Sequence, residues 1–375
     1  MMNKPDFETP STQTLDALRQ QGDTPADDLI RDLFENKQAK LLNIAFRQLE
    51  RNQDIHKDSL PEAIRDFFVQ EGAMPDWVNE ALLQQGTVFF RKYAAQFSAM
   101  LSFLSLPYTY AAANGVKVLY LTKRIHEDTA KRLHETARYL VDITAPNTFA
   151  PEGNGIVSSL KVRLMHAAVR YHLKRDKRWD TAWGLPVNQE DMIGTNLAFS
   201  ALPILGLKKM KYHLKQYDMT AYLHLWKVAG KFLGSTPLYL PNRYQEAINL
   251  ADRVGERQFQ SSEEGKALTQ SLIAFLEKSI VRRFPKDFVT TYMRFLMGDE
   301  ISNILGIPRY NWTRVLVRPF QTNNILKSLS PSSLREGDKF LKQAGYFLDK
   351  DPVNFRIPLT IKTASSAVAG CNDKS

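Results

Sequence analysis

The chain has 375 residues, of which 43% are apolar, and a formal net charge of +10. This length and apolar share exclude a disordered chain and allow one to three domains with a large core. The single cysteine, Cys371, excludes an internal disulfide framework and a thiolate metal site.

The chain begins with a polar segment. Its first eight residues lack the apolar stretch of a secretory signal, and we therefore expect a cytoplasmic protein. We interpret residues 1–55 as a polar, partly helical and loosely held arm, residues 56–325 as the main domain and residues 326–375 as a C-terminal extension.

Helical spacing of apolar residues dominates the main domain, which predicts an all-α fold, a helical bundle. Residues 192–207 form a stretch of sixteen residues without charge, which is too short for a membrane span and predicts a buried core helix. Asn188 or Gln189 is expected to cap that helix. The best strand candidate is 355–362. Helices are predicted at 79–106 (ended by Pro107), 124–142, 156–173, 217–233, 243–259, 264–282 and 285–304.

Two basic runs, 174–178 and 208–211, are compatible with phosphate or with peripheral contact to an anionic membrane surface. The alternative is an ordinary solvated face. No zinc-finger spacing, RNP motif or basic heptad pattern accompanies these charges, and we expect no nucleic-acid partner.

The helix that follows Gly155 carries a histidine, His166, on an apolar stripe, with Arg163 and Arg170 one turn before and one turn after it. The stripe consists of apolar residues at spacings of three and four: Val162, Met165, Val169 and Leu173. Such an imidazole suits the proximal side of a haem, where the neutral ring binds iron and the guanidiniums meet the propionates. Residue chemistry alone favours the alternative, a core histidine that is satisfied by a hydrogen bond.

Other common sites are absent from the sequence. No histidine has a glutamate three residues before it, and there is no His-Glu-x-x-His, glycine-rich phosphate loop or Gly-x-Ser-x-Gly motif. A single axial histidine is the remaining common site. Gln189, Glu190 and Asp191 are interpreted as capping and bracing residues rather than as catalytic ones.

Six blocks, in order, resemble the domain shared by the bacterial rubber oxygenases (latex-clearing proteins) and the fungal endoplasmic-reticulum oxygenase of mycophenolic acid biosynthesis. The resemblance spans roughly residues 60–310, and the ordered pair of the third and fourth blocks is its most specific part. The blocks are 105–112, 118–122, 132–136 (Arg-Leu-His-Glu-Thr), 162–167 (Val-Arg-Leu-Met-His-Ala), 184–191 and 292–300.

This resemblance implies a globin-like helical core around one b-type haem and cleavage of an isoprenoid double bond with dioxygen. It places the axial ligand at His166 and puts Arg132 and Thr136 over the opposite haem face. The rubber oxygenases have a lysine before that threonine, whereas this chain has Glu135. A carboxylate there is able to accept a proton, to bind a distal water or to pair with Arg132.

We therefore expect a haem-dependent oxygenase acting on an apolar, possibly isoprenoid, substrate, by double-bond cleavage or a related oxidation. The predicted residues are Arg132, Glu135 and Thr136 for the chemistry, and His166, Arg163 and Arg170 for the haem. The alternative class is a helical haem- or lipid-binding protein without turnover. Electron donor, oligomeric state and physiological substrate are open at this stage.

Overall fold

The computed structural model describes residues 7–122, 129–280, 287–309, 333–350 and 357. Within these ranges the regular structure is helical, and the one β-bridge, between Ala112 and Phe259, is isolated. The predicted all-α fold is confirmed. The predicted strand at 355–362 lies outside the described residues, apart from Ile357.

The described residues form seventeen α-helices. In chain order they are α1 (Thr12–Arg19), α2 (Thr24–Glu35), α3 (Lys40–Gln48), α4 (Glu62–Glu71), α5 (Glu80–Lys92), α6 (Ala94–Met100), α7 (Leu106–Ala111), α8 (Val116–Leu121), α9 (Thr129–Thr144), α10 (Gly155–Leu173), α11 (Gln189–Lys209), α12 (Gln216–Phe232), α13 (Tyr244–Gln258), α14 (Glu263–Ile280), α15 (Phe288–Met297), α16 (Asp299–Ile304) and α17 (Ser333–Lys350).

Helix α11 confirms the prediction of a buried core helix. The Asn188 side chain caps it by accepting a hydrogen bond from the Asp191 backbone amide at 2.9 Å. Most of its central residues are buried, and Pro203 is tolerated inside it. No helix among the described residues is long and apolar enough to cross a membrane.

The prediction that Pro107 ends a helix is wrong. Helix α6 continues through a π-helical turn, Leu101–Ser105, in which the Leu106 amide donates to the Leu101 carbonyl, and α7 follows with Pro107 in its first turn. Proline lacks an amide hydrogen, but a first-turn amide has no intrahelical acceptor in any case. Because the wide turn lets a new helical segment begin at Leu106, the proline interrupts nothing.

The N-terminal segment belongs to the main core. Leu15, Ile30 and Leu42 are fully buried, in the same hydrophobic cluster as the centres of α10, α11 and α12. Helix α2 packs on α10, and α1 packs on α11. Residues 12–48 thus contain three helices, and buried side chains of these helices pack in the main core.

Candidate functional site

On helix α10, His166 lies among apolar residues that pack in two different hydrophobic clusters. On one side lie the apolar residues of the stripe, of which Val162 and Met165 are half-buried against the core. Further along the stripe, Val169 and Leu173 pack on Val118 of α8 in a separate small cluster. His166 itself is half-buried, and its Nδ1 atom is buried.

Helices α9 and α10 form an antiparallel hairpin. The Tyr139 hydroxyl of α9 and the Ser159 hydroxyl of α10 are hydrogen-bonded at 3.0 Å, and the Ser158 hydroxyl donates to Asp142 at 2.9 Å. Position 132 and His166 each lie seven residues from the Tyr139–Ser159 contact, toward the same end of the hairpin. At about 1.5 Å per residue, both are roughly 10 Å along their helices from that contact.

The predicted residues of α9 lie on this end of the hairpin. Glu135 is half-buried, Thr136 is exposed, and Leu133 is half-buried against the core. The side chain of Arg132 lies outside the described residues. Helix α9 is also contacted by α5, α14 and α17.

Arg163 and Arg170 contact carboxylates of the chain itself. Arg163 donates from Nε and Nη2 to the two Asp23 oxygens, at 2.6 and 2.7 Å, and from Nη1 to Glu71 at 2.7 Å. Arg170 donates to Asp27 at 2.6 Å and to the Val187 carbonyl at 3.0 Å. The N-terminal segment and α4 thus supply carboxylates to these arginines that helix periodicity could not reveal, and the propionate contacts stay a prediction.

The electrostatics of this ion-pair network follow from its burial. Both side chains of the Arg163–Asp23 pair are 5% exposed. Burial lowers the pKa of the Arg163 guanidinium, but the hydrogen bonds and charges of Asp23 and Glu71 outweigh it and raise that pKa above its ordinary value. Arg163 is therefore a permanent cation whose geometry is fixed by its partners.

The 184–191 block is structural, as predicted. Glu190 is fully buried and accepts hydrogen bonds from Arg19 at 3.1 Å, Arg257 at 2.8 Å and Gln258 at 2.9 Å. The Gln189 side-chain amide donates to the carbonyls of Gly22 and Gly234. The block thus holds the segment around Asp23 in place.

Sequence reasoning missed Asp23, Asp27 and Glu71 as partners of the arginines on α10. Their one sequence signal is spacing: two arginines seven residues apart on a largely apolar helix need anionic partners, and Asp23 and Asp27 are four apart. Among the described residues, no group of three or more His, Cys, Asp or Glu side chains could hold a metal ion. A surface depression of about 450 Å³ lies beside α4, and none of its lining residues comes from α9 or α10.

Comparison with known proteins identifies the domain that carries the hairpin. The family described as "ER-bound oxygenase mpaB/B'/Rubber oxygenase, catalytic domain" matches residues 91–322. The chain belongs to this family. As a member of this oxygenase family it is an oxygenase enzyme.

Two further similarities agree with the family. The chain is 25% identical over 290 residues to the rubber oxygenase of Streptomyces sp. (strain K30), covering 76% of this chain and 71% of that protein. Its fold is similar to that of the latex clearing protein LCP in the closed state, with a TM-score of 0.78 at 22% identity. That similarity covers 91% of this chain and 95% of the other.

The family match covers the predicted site residues of α9 and α10. Residues 132–136 and His166 lie within the matched residues, whereas Asp23, Asp27 and Glu71 precede them. The carboxylates that hold the arginines of α10 therefore come from outside the matched oxygenase domain.

Proposed function

We propose that this protein is a haem b-dependent oxygenase that oxidises an apolar, isoprenoid-type substrate with dioxygen. The observation that carries the proposal is the position of His166. Its half-buried imidazole lies on α10 of an oxygenase domain, toward the same end of the hairpin as residues 132–136 of α9.

The residues around His166 fit a haem. A neutral imidazole is a common axial ligand of haem iron, and the neighbouring Val162, Met165 and Leu133 are half-buried apolar side chains that suit a porphyrin face. When bound, the haem would supply the electron-transfer and dioxygen chemistry that amino-acid side chains lack.

The chain's own residues would set the surroundings of that chemistry. His166 would bind the haem iron. Arg132 and Thr136 would donate hydrogen bonds to the groups that gain negative charge during oxidation. The Glu135 carboxylate would hold or transfer a proton in the same space.

The substrate class comes from the relatives. One relative is named a rubber oxygenase, and rubber is a polyisoprene, so an apolar isoprenoid chain is the proposed substrate type. Glu135 replaces the lysine that the resemblance would place before Thr136. This replacement changes a residue next to the proposed reaction space, so the chain differs there from the rubber oxygenases. The proposed reaction is therefore double-bond cleavage or a related oxidation.

The test is the absorption spectrum of the purified protein, recorded as isolated, after dithionite and after carbon monoxide. We expect a Soret band that shifts with each addition, and its loss in His166→Ala. His213→Ala, which changes an exposed histidine, is the matched control and should retain the band. Normal haem content in His166→Ala would contradict the assignment, and haem binding without substrate-dependent dioxygen uptake would indicate a carrier instead.

A further inference from the structure

A buried ion-pair network lies behind the helix that carries His166. Arg163 is bound by Asp23 through two hydrogen bonds of 2.6 and 2.7 Å and by Glu71 through one of 2.7 Å. Arg170 is bound by Asp27 at 2.6 Å, and its Nη2 atom lies 3.9 Å from Asp23. Both arginines are almost fully buried, at 4% and 2% exposure.

The network is attached to α10 on both sides of His166. Arg163 precedes His166 by three residues and Arg170 follows it by four, so the two contacts fix the axial position and the rotation of that stretch of helix. Asp23 reaches toward both arginines from the loop before α2. Because Arg163 and Arg170 are held about one turn to either side of His166, the Cα atom of His166 is held in place as well.

The loop around Asp23 is built to bring it there. Gly234 has φ +90°, and a Cβ atom at this position would overlap Asp23 Oδ2 and lie 2.8 Å from Arg163 Nε. The Gln189 side chain joins the carbonyls of Gly22 and Gly234 and accepts hydrogen bonds from Thr236. The absence of a side chain at Gly234 thus leaves room for the Asp23 carboxylate against Arg163, and the Gln189 side-chain amide holds the two segments together.

We propose that Asp23 is a positioning residue for His166, acting through Arg163, and that the segment before the matched oxygenase domain is therefore part of the oxygenase site. This inference rests on the proposed function, because it requires His166 to bind the haem iron. Asp23 itself touches neither haem nor substrate. Its role is to fix the helix from which the imidazole projects.

The first test is haem affinity. Asp23→Asn keeps the shape of the side chain but removes its charge, and we expect about tenfold weaker binding of hemin to the apoprotein, as for other residues that orient metal ligands indirectly. The matched control is Glu35→Gln. Glu35, the last residue of the same α2, pairs at 3.4 Å with Arg175, two residues after α10 ends, and both side chains are about half exposed. The control should bind hemin as the unchanged protein does.

The second test separates positioning from general structure. In a His166→Gly background, free imidazole replaces the side chain and is no longer attached to α10. If Asp23 acts through His166, adding Asp23→Asn to this background leaves the hemin affinity in saturating imidazole unchanged. The same tenfold loss in both backgrounds would overturn the proposal, as would normal affinity of Asp23→Asn in the unchanged background.

The outcomes distinguish this inference from the proposed function. If the unchanged protein binds no hemin, the proposed function fails and this inference fails with it. If hemin binds through His166 and Asp23→Asn has no effect, only this inference fails. Should Asp23→Asn not fold, Asp27→Asn repeats both tests through Arg170, with a partner carboxylate that is 22% exposed and easier to replace.

Discussion

The Tyr139 hydroxyl and the Ser159 hydroxyl lie 3.0 Å apart and join α9 to α10 across the interior of the hairpin. Both side chains are buried, and burial raises the pKa of Tyr139 above its ordinary value, so this phenol stays protonated. Ser159 also donates to the Gly155 carbonyl at 2.7 Å, which leaves its oxygen free to accept from Tyr139. This contact fixes the register in which residues 132–136 approach the level of His166.

Tyr139→Phe should therefore destabilise the protein by about 1 kcal/mol, because it removes one buried hydrogen bond without opening a cavity. The free energy of unfolding from urea titration measures the loss. Tyr217→Phe, at a tyrosine that is 55% exposed, should change it by much less. Equal stability of Tyr139→Phe and the unchanged protein would mean that the hairpin register does not depend on this bond.

Glu135→Lys should alter the resting absorption spectrum of the haem-loaded protein, because it places an amine where a rubber oxygenase has one. Glu152→Lys is the control variant, because it makes the same change of charge at an exposed residue in the connection between α9 and α10. A spectrum of Glu135→Lys identical to that of the control variant would show that the side chain at 135 faces away from the iron.

Lys161 on α10 predicts a pH-dependent stability. Burial lowers the pKa of its ammonium to about 8, against partly compensating attraction from Asp142, Glu50 and Asp54. At pH 7 both the folded and the unfolded chain carry this charge, so the cost of burying it is fully present. Lys161→Met should then stabilise the fold by about 1–2 kcal/mol, less than the full pKa shift implies because the side chain is only half-buried.

This advantage of the Lys161→Met variant should shrink as the pH rises. Folded Lys161 loses its proton near pH 8 and the unfolded chain does so near 10.5, so the unfolded state binds more protons between these values. The unchanged protein consequently gains stability relative to the variant through that window. Urea titrations at pH 7 and pH 10 measure the difference, and Lys177→Met, at an exposed lysine, should show no such trend.

Gly234→Ala should destabilise the protein by about 3 kcal/mol or more, because it adds steric overlap with the Arg163–Asp23 pair to the strain of φ +90°. Gly298→Ala is a matched control for the strain alone. Gly298 has φ +86°, but a Cβ atom there has nothing within 4 Å. With ψ +170°, Gly298 lies in a region that is essentially restricted to glycine, and the control should lose about 1–3 kcal/mol from strain alone. A loss for Gly234→Ala no larger than that for Gly298→Ala would mean that the ion pair yields to the added methyl group.

The parts of the fold that sequence predicts are those set by local signals. Helix α11 follows from a charge-free stretch after a capping asparagine, and both signals lie within the helix and its first turn. The division of the predicted helix 285–304 depends on Gly298, which separates α15 from α16 through its positive φ. A glycine within a helical sequence pattern either continues the helix or ends it, and the sequence alone does not distinguish the two because the surrounding packing decides.

The residues of the candidate site likewise fall into those with a local sequence signal and those that only the fold brings together. The apolar stripe alone favours a core histidine at position 166, and it is the resemblance, carried by contiguous residues, that predicts His166 as the haem ligand. Asp23 is 140 residues from Arg163 in sequence, and no periodicity connects them. The propionate contacts of Arg163 and Arg170 stay a prediction, and in the structure carboxylates of the chain itself contact both guanidiniums.

The π-helical turn at Leu101–Ser105 sets how many residues the chain needs between α6 and α7. The turn contains one more residue than an α-helical turn would, and each residue rotates the following side chains by about 100°. Tyr108, just beyond it, meets the ring of Phe259 at 5.5 Å between centroids. A π-helical turn absorbs its extra residue by winding more widely, so deleting one residue between Tyr93 and Leu106 would restore regular winding and leave Tyr108 facing Phe259, whereas deleting two would turn Tyr108 away by about 100°. The contact between α7 and the end of α13 is therefore encoded by a residue count as well as by residue identity.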